Sequence, residues 1–421
     1  MSHIVELLAV GTELLLGSTV NSDAQMLSRE LSALGLNVYY HSVVGDNPER
    51  LRRSVELARS RADVLITTGG LGPTCDDLTK KVVAQAYGLE LEYHPECAAA
   101  IRDFFARSGR AMTENNLQQA WLPEGCTVLE NRWGTAPGSA FQSGAHYVVM
   151  LPGPPRECIP MFREEAAPWL ARLSEGVICS RTLRVFGRGE SQVESLLRGR
   201  MNELTNPTLA PYAKEGEVEL RVTAKADSPA AAQALIAPVE REARALLGEL
   251  IYGTGEDTLE QVVLEGMKAR GLTLGTAESC TGGLIAKRLT DLPGSSAVFR
   301  GGVVSYTNEV KAQVLEVPWQ LLEEQGAVCA DVARAMAQGA RRVLGCDAAV
   351  SATGVAGPDS DERGNPVGLV YVALATPEGC WVRKLSLAGA SDRRDRVRTL
   401  AASHALDMVR RWLAGLEIEQ I

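Results

Sequence analysis

Short apolar segments alternate with amphipathic stretches of helical length over the first 165 residues, and this rhythm constrains the fold more than any other feature. The apolar segments are 4–10, 38–44, 63–67 and 147–151. Strands that alternate with helices predict a mostly parallel sheet covered by helices. Open α/β sheets bind ligands at the carboxyl ends of their strands. The turns GTELLLG and TTGGLGPTCDD follow the first and third strands, so the first candidate site lies there.

The pattern changes after about residue 175, and again after the glycines at 253 and 255. The middle segment predicts strands over 181–187 and 217–227 and helices over 190–203 and 228–248. The last segment predicts helices over 257–269 and 391–414, with strands at 272–276, 298–306, 348–353 and 367–375. We therefore predict an α/β protein with three domains: a parallel-sheet domain over 1–170, a small α+β connector over 171–252, and an α/β domain over 256–421.

Composition excludes several classes of function. The 421 residues carry a formal net charge of -9 and no long basic run, which disfavours nucleic-acid binding. No stretch of about 18 apolar residues occurs, so we expect no membrane span. Nine cysteines without a CxxC pair and five scattered histidines indicate reduced thiols in the cytoplasm and no histidine-rich metal site. Any metal should be a hard cation held by carboxylates and phosphates.

The segment TAESCTGG places Ser279 between an apolar strand and a helix that begins at the glycines. Such a turn exposes the hydroxyl and the first backbone N–H groups of the helix, which can hold an oxyanion or a phosphate. Downstream, GGVVSYTNEVKAQ brings Tyr306 and Lys311 to the same edge of the sheet. Serine needs a base, and a desolvated lysine serves where no histidine is near. The alternative is that Ser279 is a helix cap and Lys311 a solvated surface residue.

The third domain resembles the CinA C-terminal family through the strings AESCTGG, PGSSAVF, GGVVSYTNEVK, SATGVAGPD and NPVGLVYVA. Stand-alone members of that family are nicotinamide-nucleotide amidohydrolases. The resemblance implies that Ser279 is the nucleophile and that Lys311 and Tyr306 activate it, with no cofactor required.

The same resemblance implies a set of residues that bind the nucleotide substrate: Thr281, Gly282, Gly283, Ser296, Asn308, Thr353, Gly354 and Arg394. Ser296 and Thr353 have an alternative interpretation as cap or turn residues. Arg394 has competitors in Arg393, Arg396 and Arg398, because an arginine-rich helix face is often only solvated.

In TTGGLGPTCDD, glycines precede a threonine and two adjacent carboxylates. Glycines let a backbone approach a diphosphate, and Asp76 and Asp77 can ligate a divalent cation. The residues predicted to bind phosphate are Gly69, Gly70, Gly72 and Thr74. The alternative is that the carboxylates only cap the following helix.

This region resembles the molybdopterin-binding fold family and, more closely, the CinA N-terminal domain, through VGTELLLG, VNSD, GGLGPTCDD, ENRWGTAPG and LPGPPRE. The middle segment resembles the connector of full-length CinA proteins. The resemblance implies either cleavage of the ADP-ribose pyrophosphate bond, with Mg²⁺, Mn²⁺ or Co²⁺ as the metal, or binding of molybdopterin. Glu13 is a further candidate acid. Lys214 adds positive charge if the connector folds over this site, and is otherwise a solvated loop lysine.

The leading hypothesis is a bifunctional enzyme of pyridine-nucleotide salvage. It combines a nicotinamide mononucleotide deamidase with an ADP-ribose pyrophosphatase, and the family resemblance implies a homodimer. Two alternatives remain: a non-catalytic binding protein of competence or DNA-damage responses, and a molybdopterin-binding protein. The second alternative leaves Ser279 and Lys311 unexplained.

Overall fold

The computed structural model describes residues 3–74, 76–109, 111–173, 176–387 and 393–419. The chain divides into two compact units. The first unit comprises Met1–Cys179 and Ala224–Leu235, and the second comprises Ser180–Thr223 and Ile236–Ile421. The connector region contributes to both units, because two of its strands and its long helix cross the boundaries.

The first unit is built on a six-stranded sheet. The strands up to residue 151 are β1 (Ile4–Val10), β2 (Asn37–Val44), β3 (Val64–Thr68), β4 (Leu91–Tyr93), β5 (Trp121–Pro123), β6 (Thr127–Leu129), β7 (Gly138–Ser143) and β8 (His146–Leu151). The order is β2-β1-β3-β8-β7-β6, and β4 pairs with β5 separately. Strands β2, β1, β3 and β8 are parallel, whereas β7 and β6 are antiparallel. The carboxyl ends of β1 and β3 are therefore neighbours, with Ala9 opposite Thr68.

Helices cover both faces of this sheet. They are α1 (Thr12–Leu15), α2 (Ser22–Ala33), α3 (Pro48–Arg61), α4 (Thr79–Ala86), α5 (Pro95–Ser108), α6 (Pro155–Met161) and α7 (Ala167–Ala171), with a 3-10 helix at Glu114–Ala120 and a π turn at Phe162–Ala166. Leu27 of α2 and Met161 of α6 pack on one face of the sheet, and Val55 of α3 and Val83 of α4 pack on the other. The alternate side chains of β1 point into these two cores.

The connector region is a four-stranded sheet with two helices. Its elements are β9 (Val177–Val185), α8 (Glu190–Glu203), β10 (Thr208–Lys214), β11 (Glu217–Ala226), α9 (Pro229–Leu247) and β12 (Ile251–Thr254). The strand order is β10-β11-β9-β12, and β10 and β11 form an antiparallel hairpin.

The remaining part of the second unit is built on a five-stranded sheet. Its strands are β13 (Leu274–Glu278), β14 (Phe299–Val304), β15 (Ala348–Gly354), β16 (Leu369–Ala375) and β17 (Cys380–Ser386), in the order β14-β13-β15-β16-β17. The first three strands in this order are parallel, and the last two are antiparallel. The helices are α10 (Leu259–Ala269), α11 (Leu284–Thr290), α12 (Asn308–Leu315), α13 (Trp319–Gln325), α14 (Ala330–Leu344) and α15 (Arg394–Ala414).

Two apolar cores hold these helices on opposite faces of the sheet. Met267 of α10 and Leu406 of α15 lie in one core, and Leu315 of α12 and Met336 of α14 lie in the other. The carboxyl ends of β13 and β14 therefore open at one edge of the sheet, where the turn before α11 and the turn before α12 meet.

The predicted α/β class is confirmed, and each predicted strand and helix is present within a few residues. The predicted helix that starts near Asn308 is present as α12. The prediction did not include the short strands β4 to β7, the strands β10, β12 and β17, or the helices α13 and α14. Residues 391 and 392, which the prediction placed in the last helix, lie outside the described residues. The three-domain division stays a prediction. The eight described cysteines are free thiols. In the part of the chain that the structure describes, no helix has the length and apolar character needed to cross a membrane.

Candidate functional sites

A cavity of about 570 Å³ opens at the carboxyl ends of β1 and β3. We call it the glycine-loop cavity, because the loop 69–74 forms one wall. Gly69 and Gly70 have φ values of +93° and +66°, which favour glycine. A Cβ on Gly69 would lie 2.2 Å from the Val10 carbonyl oxygen, so glycine also permits the close approach of β1. The prediction that the two glycine-rich turns share one edge is confirmed.

Asp77 fixes the shape of this loop. Its Oδ2 accepts hydrogen bonds from the Thr74 backbone N–H at 2.8 Å and the Thr74 hydroxyl at 2.6 Å. A Cβ on Gly72 would lie 2.5 Å from the same oxygen. Helix α4 begins two residues later, at Thr79 with Leu78 as its cap residue. The printed hydrogen bonds of Asp77 go to Thr74 and not to this helix, so the capping alternative is wrong for Asp77. Both carboxylates line the cavity.

The charged side chains described around the glycine-loop cavity are all acidic. Among its described lining residues are five carboxylates and no lysine or arginine; the acids are Glu13, Asp46, Asp76, Asp77 and Glu157. Asp46 Oδ2 accepts a hydrogen bond from the Thr12 N–H at 2.8 Å, which ties the turns after β1 and β2 together. The charged side chains that an anionic ligand would meet among these residues are all negative, so phosphate binding requires a cation between them.

Glu157 is a lining residue of the cavity that the sequence prediction missed, and Lys80 is a buried lysine of α4 that it also missed. Glu157 is buried and accepts a hydrogen bond from Asn131 Nδ2 at 2.9 Å. Lys80 is also buried, and its Nζ donates to the carbonyl oxygens of Gln118 and Gln119 at 3.1 and 3.0 Å. Burial lowers the pKa of Lys80 to about 8. The signals were the string LPGPPRE for Glu157 and a lysine on the apolar face of α4 for Lys80.

Lys214 lies in the second unit, so its contribution to this site stays a prediction. It is the last residue of β10 in the second unit, half-exposed, with its Nζ 3.7 Å from Glu219 Oε1. The observed contact fits the alternative interpretation, in which Lys214 is a solvated lysine beside a turn.

Three side chains that could ligate a metal lie close together elsewhere in the first unit. Among the described residues, His94, Glu96 and Cys97 place three ligand atoms within 4.8 Å of one another. His94 Nδ1 and Glu96 Oε1 are 2.8 Å apart and form a hydrogen bond. Burial raises the pKa of the Cys97 thiol to about 11. Because the thiolate is the form that binds metal, this cluster is a poor metal site.

The second candidate site lies at the carboxyl ends of β13 and β14. Ser279 follows β13 directly, is 9% exposed, and is held by a hydrogen bond from its N–H to the Ala352 carbonyl oxygen at 2.9 Å. Gly282 and Gly283 have φ values of +57° and +93°, and they turn the chain into α11. The predicted strand–turn–helix around Ser279 is confirmed.

The N–H groups of α11 are not available as the sequence suggested. Ile285 and Ala286 donate their backbone N–H groups to the two oxygens of Glu278 at 3.0 and 2.8 Å. Glu278 is 1% exposed, so this carboxylate caps the helix from inside. The prediction that the first amides of this helix hold an oxyanion or a phosphate is therefore wrong for these two groups.

Lys311 reaches Ser279 from the neighbouring element. Thr307 caps α12, and Lys311 lies on the first turn of this helix with 1% exposure. Its Nζ lies 3.0 Å from Ser279 Oγ, 2.8 Å from the Ser305 carbonyl oxygen and 3.5 Å from the Tyr306 carbonyl oxygen. Burial lowers the pKa of Lys311 to about 8. Lys311 is therefore no surface residue, and the alternative interpretation of it is wrong.

Two arginines of α15 approach the same site. Arg394 Nη2 donates to the Tyr306 hydroxyl at 2.9 Å, and its Nη1 donates to the Gly357 carbonyl oxygen. Arg398 donates to the Thr281 carbonyl oxygen at 2.7 Å. Tyr306 is half-exposed, so its ring and the Arg394 guanidinium form the solvent side of the site.

Arg393 and Arg396 lie apart from these contacts. Arg393 pairs with Glu215 and Asp395, and Arg396 lines a separate cavity beside the connector turn at Gly187.

The other predicted substrate residues have different surroundings: two lie close to Ser279 or on the first turn of α12, and two belong to the end of β15. Thr281 lies beside Ser279 with its hydroxyl buried and without a hydrogen-bond partner. Asn308 is half-buried in the first turn of α12. The Thr353 hydroxyl donates to the Ala327 carbonyl oxygen at 2.7 Å and so holds the fold together. Gly354 ends β15, where a Cβ would lie 2.6 Å from the Leu369 carbonyl oxygen.

Ser296 lies away from Ser279 in the folded chain. It lies exposed in the 3-10 turn Ser295–Ala297, just before β14 begins. Ser279 follows the end of β13, which runs parallel to β14. The two serines therefore lie at opposite ends of these two strands, separated by about 16 Å of strand length.

The fold and these sites define an α/β protein with an acidic, glycine-lined cavity in one unit and a buried serine–lysine pair in the other. Residues 6–172 match the family described as "Probable molybdopterin binding domain". Residues 180–253 match "Damage-inducible protein CinA KH domain", and residues 256–413 match "CinA C-terminal domain".

Full-length relatives resemble the whole chain. The CinA-like protein of Dictyoglomus turgidum is 47% identical over 411 residues, which cover 98% of this chain and 99% of that protein. The CinA-like protein of Kosmotoga olearia is 45% identical with the same coverage. The solved structure of the competence/damage inducible protein CihA from Agrobacterium tumefaciens is 38% identical, covers 36% of this chain and 91% of its own, and has a TM-score of 0.34. The chain belongs to the CinA family.

Proposed function

We propose that the second unit hydrolyses the carboxamide of nicotinamide mononucleotide, with Ser279 as nucleophile and Lys311 as its base. The observation that carries this proposal is the 3.0 Å separation of Lys311 Nζ from Ser279 Oγ in a buried setting. Serine is a weak nucleophile at its ordinary pKa, and a base within hydrogen-bond reach activates it.

The surroundings of Lys311 define the direction of proton transfer. Two of its three close partners are the carbonyl oxygens of Ser305 and Tyr306, which only accept hydrogen bonds. A neutral amine has two N–H donors and one lone pair. When both N–H groups point to the carbonyl oxygens, the lone pair faces Ser279 Oγ. The backbone therefore orients the base, and burial supplies its lowered pKa.

The reaction follows from this geometry. Neutral Lys311 takes the Ser279 proton while Oγ attacks the carboxamide carbon. The C–N bond of the tetrahedral intermediate then breaks, and the nitrogen takes the proton from Lys311 and leaves as ammonia. Water hydrolyses the resulting ester by the same base, which releases nicotinate mononucleotide and restores Ser279. Arg394 at the solvent side is suited to hold the ribose phosphate, since a guanidinium group donates to phosphate oxygens. Tyr306, the predicted second activating group, accepts a hydrogen bond from Arg394 at 2.9 Å.

The test is the release of ammonia and nicotinate mononucleotide by the intact chain and by Ser279→Ala and Lys311→Ala. Lys287→Ala is the matched control, because this lysine is exposed on α11 and pairs with Asp291 at 2.6 Å. We expect turnover in the intact chain and the control and none in the other two variants. An intact chain without turnover would contradict the proposal and favour a non-catalytic binding protein.

We also propose that the glycine-loop cavity cleaves the pyrophosphate of ADP-ribose with a divalent metal, Mg²⁺, Mn²⁺ or Co²⁺. The supporting observation is the set of five carboxylates, with no basic residue among the described lining, because such a set fits hard cations that are shared with phosphate oxygens. When bound, the metal would neutralise charge on the phosphates and polarise water. Asp76 and Asp77 would hold it, and the loop 69–74 would place backbone N–H groups against the phosphates.

This second activity is tested by incubating the chain with ADP-ribose and each metal, with and without EDTA, and measuring AMP and ribose 5-phosphate. We expect cleavage only with metal. Metal-independent tight binding of molybdopterin without cleavage of ADP-ribose would instead support a molybdopterin-binding protein.

The proposed partners are these two nucleotides and a second copy of the chain, without nucleic acid or membrane. Sedimentation equilibrium tests the proposed homodimer. A monomer at micromolar concentration would contradict it.

A further inference from the structure

A cavity of about 330 Å³ lies in the second unit, where the connector region faces α15. We call it the connector cavity. One wall is the turn 186–190 between β9 and α8, the second is the tip of the β10–β11 hairpin, and the third is α15. Its described lining residues include neither Ser279 nor Lys311, so the cavity is separate from the proposed deamidase site.

Each of the three walls contributes a basic side chain to the connector cavity. These bases are Arg188, Lys214 and Arg396. The acids among the described lining residues are Glu190 and Glu217. Glu217 is already held from outside the lining, because its Oε1 accepts a hydrogen bond from Arg184 Nη1 at 3.1 Å and its Oε2 accepts one from the Tyr252 hydroxyl. The lining therefore carries a net positive charge, in contrast to the glycine-loop cavity.

His404 adds an uncharged donor of fixed tautomer. Its Nδ1 lies 3.3 Å from Arg383 Nη1. Because a guanidinium group only donates, Nδ1 accepts this hydrogen bond and the ring proton lies on Nε2. Burial and the charge of Arg383 lower the pKa of His404 to about 4, so the imidazole stays neutral near pH 7. The ring packs against that of Phe186 with 5.0 Å between centroids, and both residues line the cavity.

The start of α8 supplies backbone donors. This helix has 14 residues, begins at Glu190 and follows Gly189, and both of these residues line the cavity. The first turn of a helix leaves N–H groups without an acceptor inside the helix, and they form its positive end. The positive end of α8 therefore opens into the connector cavity beside the three bases.

We propose that the connector cavity binds the phosphate group of a small molecule. Guanidinium groups and helix N-termini are both suited to phosphate oxygens. The N–H group of a neutral imidazole adds a directed hydrogen bond to the same ligand. This site lies apart from both proposed active sites and needs no metal, because its own side chains supply the positive charge.

The test is calorimetric titration of the full chain with inorganic phosphate in the presence of EDTA, since phosphate binding at the acidic glycine-loop cavity requires a cation. We expect Arg396→Ala to weaken phosphate binding at least about tenfold, because a charge-assisted hydrogen bond is lost. Arg393→Ala is the matched control. It removes the same charge from the same end of α15, but Arg393 pairs with Glu215 and Asp395 and is not among the described lining residues. Glu190→Gln should strengthen phosphate binding, because it removes a lining acid.

Arg394→Ala separates this inference from the proposed deamidation, because Arg394 is the group proposed to hold phosphate at the deamidase site. Phosphate binding that survives in Arg394→Ala and is lost in Arg396→Ala would support the connector cavity, whether or not nicotinamide mononucleotide is hydrolysed. The reverse pattern would place the phosphate at the deamidase site and overturn the inference. An intact chain that does not bind phosphate, or weaker binding in Glu190→Gln, would also overturn it.

Discussion

At the scale of single residues, burial and hydrogen-bond partners together decide what the two buried lysines can do. Lys311 and Lys80 have the same side chain, and burial lowers the pKa of both to about 8. Lys311 faces a serine hydroxyl, whereas Lys80 donates to two backbone carbonyl oxygens. Lys311 can therefore act as a base toward Ser279. Lys80 holds the 3-10 helix Glu114–Ala120, whose Gln119 lines the glycine-loop cavity.

The pH dependence of deamidation should report Lys311. The base acts only when neutral, so activity is low below the pKa and rises as the pH increases through it. We expect kcat/KM for nicotinamide mononucleotide to rise about tenfold per pH unit below pH 8 and to level off above it.

Lys311→Arg should show no such rise, because its guanidinium stays protonated throughout the accessible range. Steady-state kinetics from pH 6 to pH 10 measures this. A flat profile for the intact chain would exclude Lys311 as the base.

Asp77→Asn should separate metal binding from loop structure. The amide oxygen can still accept from Thr74, but the negative charge is lost. We expect the apparent affinity for the divalent metal to fall at least about tenfold, since hard cations depend on carboxylate charge. The midpoint of thermal unfolding should stay close to that of the intact chain.

Asp63→Asn is the control for this experiment, because Asp63 also accepts from a backbone N–H, that of Ile4 at 2.8 Å, and does not line the cavity. Unchanged metal affinity in Asp77→Asn would remove Asp77 from the metal site.

At the scale of secondary-structure elements, caps and close contacts set the positions of the sites. Thr307 caps α12 and so places Lys311 one turn further along, opposite Ser279. Helix α14 packs against the end of α12 through Gly339, where a Cβ would lie 2.0 Å from the Leu315 carbonyl oxygen. Helix α12, which carries Lys311, is thus held in place by the close packing of α14.

Gly339→Ala should destabilise the chain although alanine favours helices. The methyl group has no room against a backbone oxygen, and overpacking of this kind costs about 1–3 kcal/mol. Gly199→Ala is the matched control, because Gly199 lies exposed in α8 with nothing within 4 Å of its Cβ position.

The control should be stabilised by about 0.5–1 kcal/mol through helix propensity. Thermal unfolding followed by circular dichroism measures both variants. Equal stabilisation in the two would show that α14 and α12 separate without cost.

At the scale of the whole molecule, the two proposed activities belong to different units. The residues proposed for deamidation all come from the second unit, and those proposed for pyrophosphate cleavage come from the first, apart from the predicted Lys214 of the second unit. The two proposed activities therefore share no proposed catalytic residue.

Substitutions should silence one activity at a time. Ser279→Ala should abolish ammonia release and leave ADP-ribose cleavage within about twofold of the intact chain, and Asp77→Asn should do the reverse. Parallel assays of both variants measure this. Loss of both activities in either variant would mean that the sites depend on each other.

Short-range signals in the sequence set the local structure. Apolar periodicity gives the strands, glycine-rich turns mark their carboxyl ends, and capping residues such as Asn47 and Thr307 begin the helices where their side chains accept backbone N–H groups. These signals are short-range, so a single sequence carries them. They were enough to place the Ser279 turn and the Asp76–Asp77 loop at sheet edges.

Only the tertiary structure decided which distant groups meet. The Ser279–Lys311 contact depends on the parallel pairing of β13 with β14, and the same pairing carries Ser296 to the opposite edge. The capping of α11 by Glu278 has no signal in sequence spacing. The string LPGPPRE marks Glu157 but does not show that it meets Asn131. Burial of Lys311 is likewise a property of the packed helices α12 and α14. Long-range packing and desolvation decide these features, because both depend on every element that surrounds a residue.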